Sequence, residues 1–248
     1  MMDASLLDGA DIRRSEDVFV DDLIAGGTEH GAVILAATHA RAFVDLNRAP
    51  YELDPAMFAD ALPDFALSQT PRVAAGLGSI ARIVAEGHEI YARKLTFAEA
   101  EARIEGVHRP YHAALRALVD GAAARYGAVL LVDWHSMPAA AARPIRRDGC
   151  DVVLGDRFGA ACAPAVIEAA ERALTRMGYR VMRNTPYAGG YTTEFYGRPT
   201  QGVHALQIEI NRSLYLDEAT FEPNVGFGRL KSDLEEVFAD LAAISASL

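Results

Sequence analysis

Several polar clusters in this 248-residue sequence stand directly after apolar runs. In open α/β sheets ligands gather at the carboxyl ends of strands, so such places are the first to read for chemistry. The first is Asp133-Trp134-His135-Ser136, which sets a carboxylate, an imidazole and a hydroxyl side by side. A histidine so placed can bind a metal through one ring nitrogen while a neighbouring acceptor holds the other. It can equally be a hydrogen-bonded structural histidine. The second is Gln207-Ile208-Glu209-Ile210-Asn211-Arg212. Strand alternation puts Gln207, Glu209 and Asn211 on one face and the two isoleucines on the other. A glutamate at a buried strand end is costly unless paired. Beside a metal-bound water it is a candidate general base, and beside Arg212 or another arginine it is one half of a salt bridge. The third cluster is Asp45-Leu46-Asn47-Arg48, where a planar guanidinium next to an amide can grip a carboxylate in bidentate fashion or can simply face solvent. Gly189-Gly190-Tyr191-Thr192-Thr193 is either a glycine-hinged loop that closes over a ligand or a plain turn.

The remaining histidines rank lower. His108 and His112 are spaced i,i+4 as a zinc pair would be, yet no glutamate follows His108, so the motif of helical zinc proteases is incomplete. His30, His39 and His204 lie at the ends of predicted strands and His88 near a glycine; all four read as structural or solvent-facing, with His39 and His204 the least easily dismissed.

The elements that must position these groups follow from periodicity. Residues 128–133 and 151–156 are short apolar runs, as are residues 31–37, and each is expected to be a buried strand. Residues 179–182 and 203–210 supply further strands. Ser15 is expected to cap a short helix that Gly26-Gly27 closes. Residues 96–126 carry Ile104, Val107, Tyr111, Leu115 and Leu118 at helical spacing and read as one long amphipathic helix; residues 163–177 and 230–248 give two more. Residues 50–72, broken by Pro50, Pro55, Pro63 and Pro71, read as an irregular surface excursion. Strands alternating with helices predict an α/β fold in one domain spanning residues 1–248, with a mainly parallel (mixed) central sheet and helices on both faces.

Composition removes several functions. A net charge of −10 and an acidic pI near 5.2 argue against nucleic acid or an anionic membrane surface as partner. Apolar runs stay well short of the ~18 residues that a spanning helix needs. The amino terminus lacks the layout of a signal peptide, and Cys150 and Cys162 give no disulfide framework, so a cytoplasmic setting is expected.

Taken in order, the segments 43–48, 132–138, Gly189-Gly190-Tyr191-Thr192 and 206–215 resemble the motifs of the N-formylglutamate amidohydrolase family, whose fold is similar to that of zinc carboxypeptidases and aspartoacylases. The resemblance implies zinc-dependent hydrolysis of N-formylglutamate to formate and glutamate, a step in histidine breakdown. It assigns His135 as a zinc ligand and Glu209 as the general base. Asn47 and Arg48 become the clamp for a substrate carboxylate, with Gly190, Thr192 and Arg212 as further substrate contacts. It also implies a Pro-His-Ser-Gly segment at the end of a first strand, which has no counterpart here. With Met1-Met2 at its head, the sequence reads as starting about one strand late. Asp17 is then the expected acidic ligand, with Glu16 as the neighbouring option. Catalytic zinc takes about three protein ligands, so His135 with one carboxylate is an incomplete set unless a residue such as His39 completes it. Two rival readings remain: a hydrolase of another N-acyl acidic amino acid, and a metal-free module that binds a carboxylate without turning it over.

Overall fold

The computed structural model describes residues 2–84, 87–142 and 149–248. The chain divides into two compact units, one made of Met1–Glu16 with Ala37–Ala117 and the other of Asp17–Ala36 with Leu118–Leu248.

The second unit is built on a mixed sheet of β1 (Val129–Met137), β2 (Val152–Gly155), β3 (Val181–Arg183) and β4 (Val203–Asn211), ordered β1-β4-β2-β3. β1 runs parallel to β4 and β2 parallel to β3, while β2 and β4 are antiparallel, which bears out the expectation of a mainly parallel sheet. The two faces differ sharply. Leu130, Val132 and Trp134 of β1, Val152 and Leu154 of β2, and Leu206, Ile208 and Ile210 of β4 pack on the helices Pro164–Arg176 and Phe227–Ser245. Trp134 meets Phe238 with ring centroids 5.3 Å apart. Full burial, as of Val152, Leu154, Leu206, Ile208 and Ile210, stabilises the fold by roughly 1.5–3 kcal/mol per side chain, and with the half-buried Leu130, Val132 and Trp134 these residues hold the sheet's orientation. The alternate residues, Asp133, His135, Gln207 and Glu209, therefore share the opposite face, where the short helix Tyr191–Tyr196 lies.

Three local expectations need correction. Residues 31–37 form no strand; Val33 is 73% exposed. An apolar run becomes a strand only where a neighbour supplies a ladder for its N–H and C=O groups, and among the described residues no strand pairs with this one. Ser15 does not cap the next helix. Its hydroxyl donates to the Ile12 carbonyl and closes the helix Gly9–Arg13, so the following helix, Val20–Leu23, starts after Phe19 without a side-chain cap. β1 also runs on through Met137, so that His135 lies within the strand rather than just beyond it.

In the first unit, Leu53, Phe58, Ile80, Leu95 and Ile104 centre one core, and Ile12, Ala42, Val84 and Ile90 a smaller one. Residues 50–72 are irregular apart from the turn Pro55–Met57 and the start of the helix Pro71–Ala74. Thr96 and Glu99 form a capping box that opens Phe97–Arg103. The single helix expected over residues 96–126 is interrupted by a π-helical turn at Ile104–His108 before Arg109–Tyr126 resumes. Pro110 is the physical reason: its ring and missing N–H cannot join a regular ladder, and a locally wider turn relieves the clash.

Gly155 shows how tightly the polar face is built. A Cβ there would lie 2.7 Å from the Ala188 carbonyl carbon and 2.8 Å from the Gly189 nitrogen, both fixed backbone atoms. Gly155→Ala is expected to cost about 1–3 kcal/mol of stability in chemical denaturation; an unchanged midpoint would show that the 188–190 backbone is not held against β2.

Candidate functional site

The polar face of the second unit assembles from the register of β1 and β4. Asp133 is paired with Gln207 and His135 with Glu209, and adjacent strands lie about 4.8 Å apart. His135 and Glu209 are each 8% exposed. On the far side of β4, Val153 is the neighbour of Glu209 and Gly155 that of Gln207.

Each group is oriented by partners. His135 Nε2 lies 2.9 Å from Asp133 Oδ1, its neighbour two residues back on the same strand face. His135 Nδ1 lies 3.0 Å from Asp17 Oδ2. The other Asp17 oxygen accepts from the Ser136 amide at 2.7 Å and the Ser136 hydroxyl at 3.0 Å. Arg212 Nε donates to that same hydroxyl oxygen at 3.0 Å. Because Arg212 brings the proton for its own bond, the serine proton is directed at Asp17. Tyr215 supports the segment from behind by donating to the Val18 carbonyl at 2.9 Å. Burial pushes the Tyr215 hydroxyl up to about 12, so it remains a donor at neutral pH.

Glu209 is held in a similar way. Gln207 Nε2 donates to Glu209 Oε1 at 2.9 Å, and Gln207 Oε1 accepts from the Gly190 amide at 2.7 Å. Gly190 caps the helix Tyr191–Tyr196, and the Thr193 hydroxyl donates to its carbonyl at 2.9 Å. The segment read as either a hinged loop or a plain turn is instead a helix start, with Thr192 and Thr193 buried inside it.

Burial opposes charge on the His135 ring, but Asp133 and Asp17 outweigh it and raise its pKa well above the usual histidine range. A positive charge between two carboxylates can be supplied by a proton or by a cation. The donors therefore suit zinc in kind: an imidazole nitrogen and a carboxylate oxygen converge, and a second carboxylate fixes the ring. They fall short in number. Among the described residues no cluster of three or more His, Cys, Asp or Glu side chains forms a metal cage. Glu16, the neighbouring option, pairs with Arg13.

Asn47 and Arg48 belong to the first unit. Asn47 is buried, its backbone N–H donating to Asp45 Oδ1 at 2.9 Å. Burial lowers the Arg48 pKa against the opposing pull of Asp45, and Arg48 Nε donates to the Leu77 carbonyl at 3.0 Å. His39, also in this unit, is exposed and stacked on Phe43. In the second unit His204 Nδ1 accepts from the Ala163 amide at 3.1 Å, a structural role. Sequence reasoning did not single out Asp133, Ser136 or Gln207 for their orienting parts. For Asp133 and Gln207 the signal was present, since each stands two residues before the group it holds.

Similar sequences and the same fold recur in known proteins. A family model described as N-formylglutamate amidohydrolase matches residues 1–216. The N-formylglutamate deformylase of Pseudomonas aeruginosa is 30% identical over 223 residues, spanning 88% of this chain and 77% of that protein. The N-formylglutamate deformylase of Pseudomonas putida is 29% identical over 191 residues, 76% of this chain and 66% of that protein. The crystal structure of N-formylglutamate amidohydrolase from Ralstonia eutropha superposes with a TM-score of 0.92 at 38% identity, covering 98% of this chain and 88% of that one. A gene product of Agrobacterium tumefaciens, at 16% identity and a TM-score of 0.65 over 94% of this chain and 80% of that one, shares the fold. Among the described residues no helix is long and apolar enough to cross a membrane.

Removing the Ser136 hydroxyl takes away both a donor to Asp17 and an acceptor for buried Arg212. Ser136→Ala is expected to lower stability by about 1–3 kcal/mol in urea titration, and an unaltered midpoint would show that the network is not held through this hydroxyl.

Proposed function

The chain belongs to the N-formylglutamate amidohydrolase family, and from that premise we propose that it hydrolyses the formamide bond of N-formylglutamate to formate and glutamate. The observation that carries this reading is the register that sets His135 opposite Glu209 on a polar sheet face. In this reading Glu209 is the general base. Its carboxylate takes a proton from the attacking water and returns it to the departing amine as the C–N bond breaks, so one group serves both transfers. Gln207 directs this work by holding Oε1, and burial keeps competing solvent away from the carboxylate.

His135 and Asp17 are the groups that would hold zinc, with Asp133 and Ser136 fixing their orientation. When bound, zinc would supply a water of lowered pKa and stabilise negative charge on the carbonyl oxygen, both of which a poorly electrophilic amide needs. Asn47 and Arg48 are assigned to a substrate carboxylate: the guanidinium, with Nε on the Leu77 carbonyl and one Nη1 proton on the Asn47 carbonyl, would offer its outer N–H groups, and the Asn47 side-chain amide a further donor. Gly190, Thr192 and Arg212 complete the proposed substrate contacts. The Arg212 bond to Ser136 means that part of this guanidinium's donor capacity serves the site's own frame, whereas the one N–H of Gly190 is given to Gln207, so this glycine would meet the substrate by close backbone approach and not as a donor. The substrate expected is therefore a small anion, matched to local cationic groups in a chain whose net charge is −10.

Formate release tests the reading. N-formylglutamate is expected to be turned over with a kcat/KM at least about 100-fold above that of N-formylleucine, because a site built for a second carboxylate rejects an analogue lacking it. N-acetylglutamate serves as the acyl control. Equal rates on the glutamate and leucine substrates, or no formate from either, would overturn it.

A further inference from the structure

The backbone of residues 46–48 joins no ladder or helix, yet its carbonyls need partners wherever they are shielded from water. Three in succession have them, all from side chains. His112 Nε2 lies 2.8 Å from the Leu46 carbonyl, Arg48 Nη1 donates to the Asn47 carbonyl at 2.8 Å, and His108 Nε2 lies 2.9 Å from the Arg48 carbonyl. A carbonyl oxygen only accepts, so both imidazoles carry their proton on Nε2.

We propose that His108 and His112 are positioning residues, which fix the peptide planes on either side of Asn47 and Arg48 and so aim those side chains at the substrate carboxylate. The inference rests on the assignment of Asn47 and Arg48 made above, and it gives a use to the i,i+4 pair that metal chemistry left idle. The two rings are neighbours, with centroids 4.4 Å apart. His108 is only 2% exposed, and burial lowers its pKa against the opposing effects of the Arg48 carbonyl and Asp45. A neutral ring carrying its proton on Nε2 satisfies the carbonyl contact.

The helix that presents them is itself adapted. His108 is the last residue of the π-helical turn, and His112 lies in the next helical segment, Arg109–Tyr126. One residue more or less in a helix rotates every later side chain by about 100°, so the wide turn sets the angle at which both rings meet residues 46–48. Other bonds fix the rest of this backbone: the Asp45 amide donates to the Ser79 carbonyl, and the Asn47 amide to Asp45 Oδ1. The imidazoles are the long-range ties on the carbonyl side.

The test has two arms. In the first, kcat and KM for N-formylglutamate are measured for His108→Leu, His112→Leu and the corresponding Gln variants. Glutamine keeps an N–H near the Nε2 position. The Leu variants are expected to raise KM about tenfold or more, the weight of a misaimed charge-assisted contact, while kcat changes little and the Gln variants recover most of the KM. A Leu variant with unchanged KM, or a loss confined to kcat, would overturn the proposal. The second arm needs neither turnover nor a folded variant: nitrogen-15 spectra of the wild-type imidazoles should show both rings protonated at Nε2. A ring protonated at Nδ1 alone would overturn the proposal whatever the kinetics. Failure of the wild type to release formate, with both rings protonated at Nε2, would instead remove the substrate reading and leave the fixed turn standing.

Discussion

The parallel pairing of β1 with β4 sets His135 beside Glu209 and Asp133 beside Gln207 on the polar face. A slip of β1 by one residue would turn His135 away from Glu209, toward Phe238 and the long helices, and bring Trp134 to the polar side. Nine paired positions oppose this, from Val129 with Val203 to Met137 with Asn211. Their apolar alternates are locked into the helices Pro164–Arg176 and Phe227–Ser245. The slipped register would also bury charged groups among aliphatic side chains, at a cost of several kcal/mol. The hydrophobic face thus holds the chemical face in place, and the two cannot vary independently.

Irregular backbone next to the functional groups obeys a second rule. Asp17 and residues 46–48 lie outside any ladder, so their positions depend on side-chain hydrogen bonds. Ser136 holds one Asp17 oxygen through both its amide and its hydroxyl, leaving the other to face His135. Two imidazoles and a guanidinium hold three successive carbonyls around Asn47 and Arg48. In each unit a segment that carries a charged group gains a defined shape from polar contacts that span long stretches of sequence.

The features legible in the sequence were local ones. Alternation along residues 203–210 correctly separated Gln207, Glu209 and Asn211 from Ile208 and Ile210, since a strand's period shows in consecutive residues. The helix Pro164–Arg176 was legible for the same reason. Residues 31–37 misled because an apolar run records burial preference but not whether a partner strand exists. Ser15 misled because a serine between two helices can serve either, and here it closes the first. Pro110 carried a signal for the break in the long helix that periodicity alone passed over. The parts played by Ser136 and by the two helical histidines could not be read in advance, because their partners lie far away in sequence, Asp17 for the one and Leu46 and Arg48 for the others.

The central claim is that His135 and Glu209 act as one unit in a single reaction, and a double-mutant cycle in kcat addresses it directly. His135→Ala, Glu209→Gln and the double variant would be compared for formate release from N-formylglutamate. Groups that serve the same transition state are strongly non-additive, so the double variant should fall within about tenfold of the worse single variant. A loss equal to the product of the two single losses would contradict the account, because it would mean that the β1–β4 register brings the two residues side by side without joining them in function.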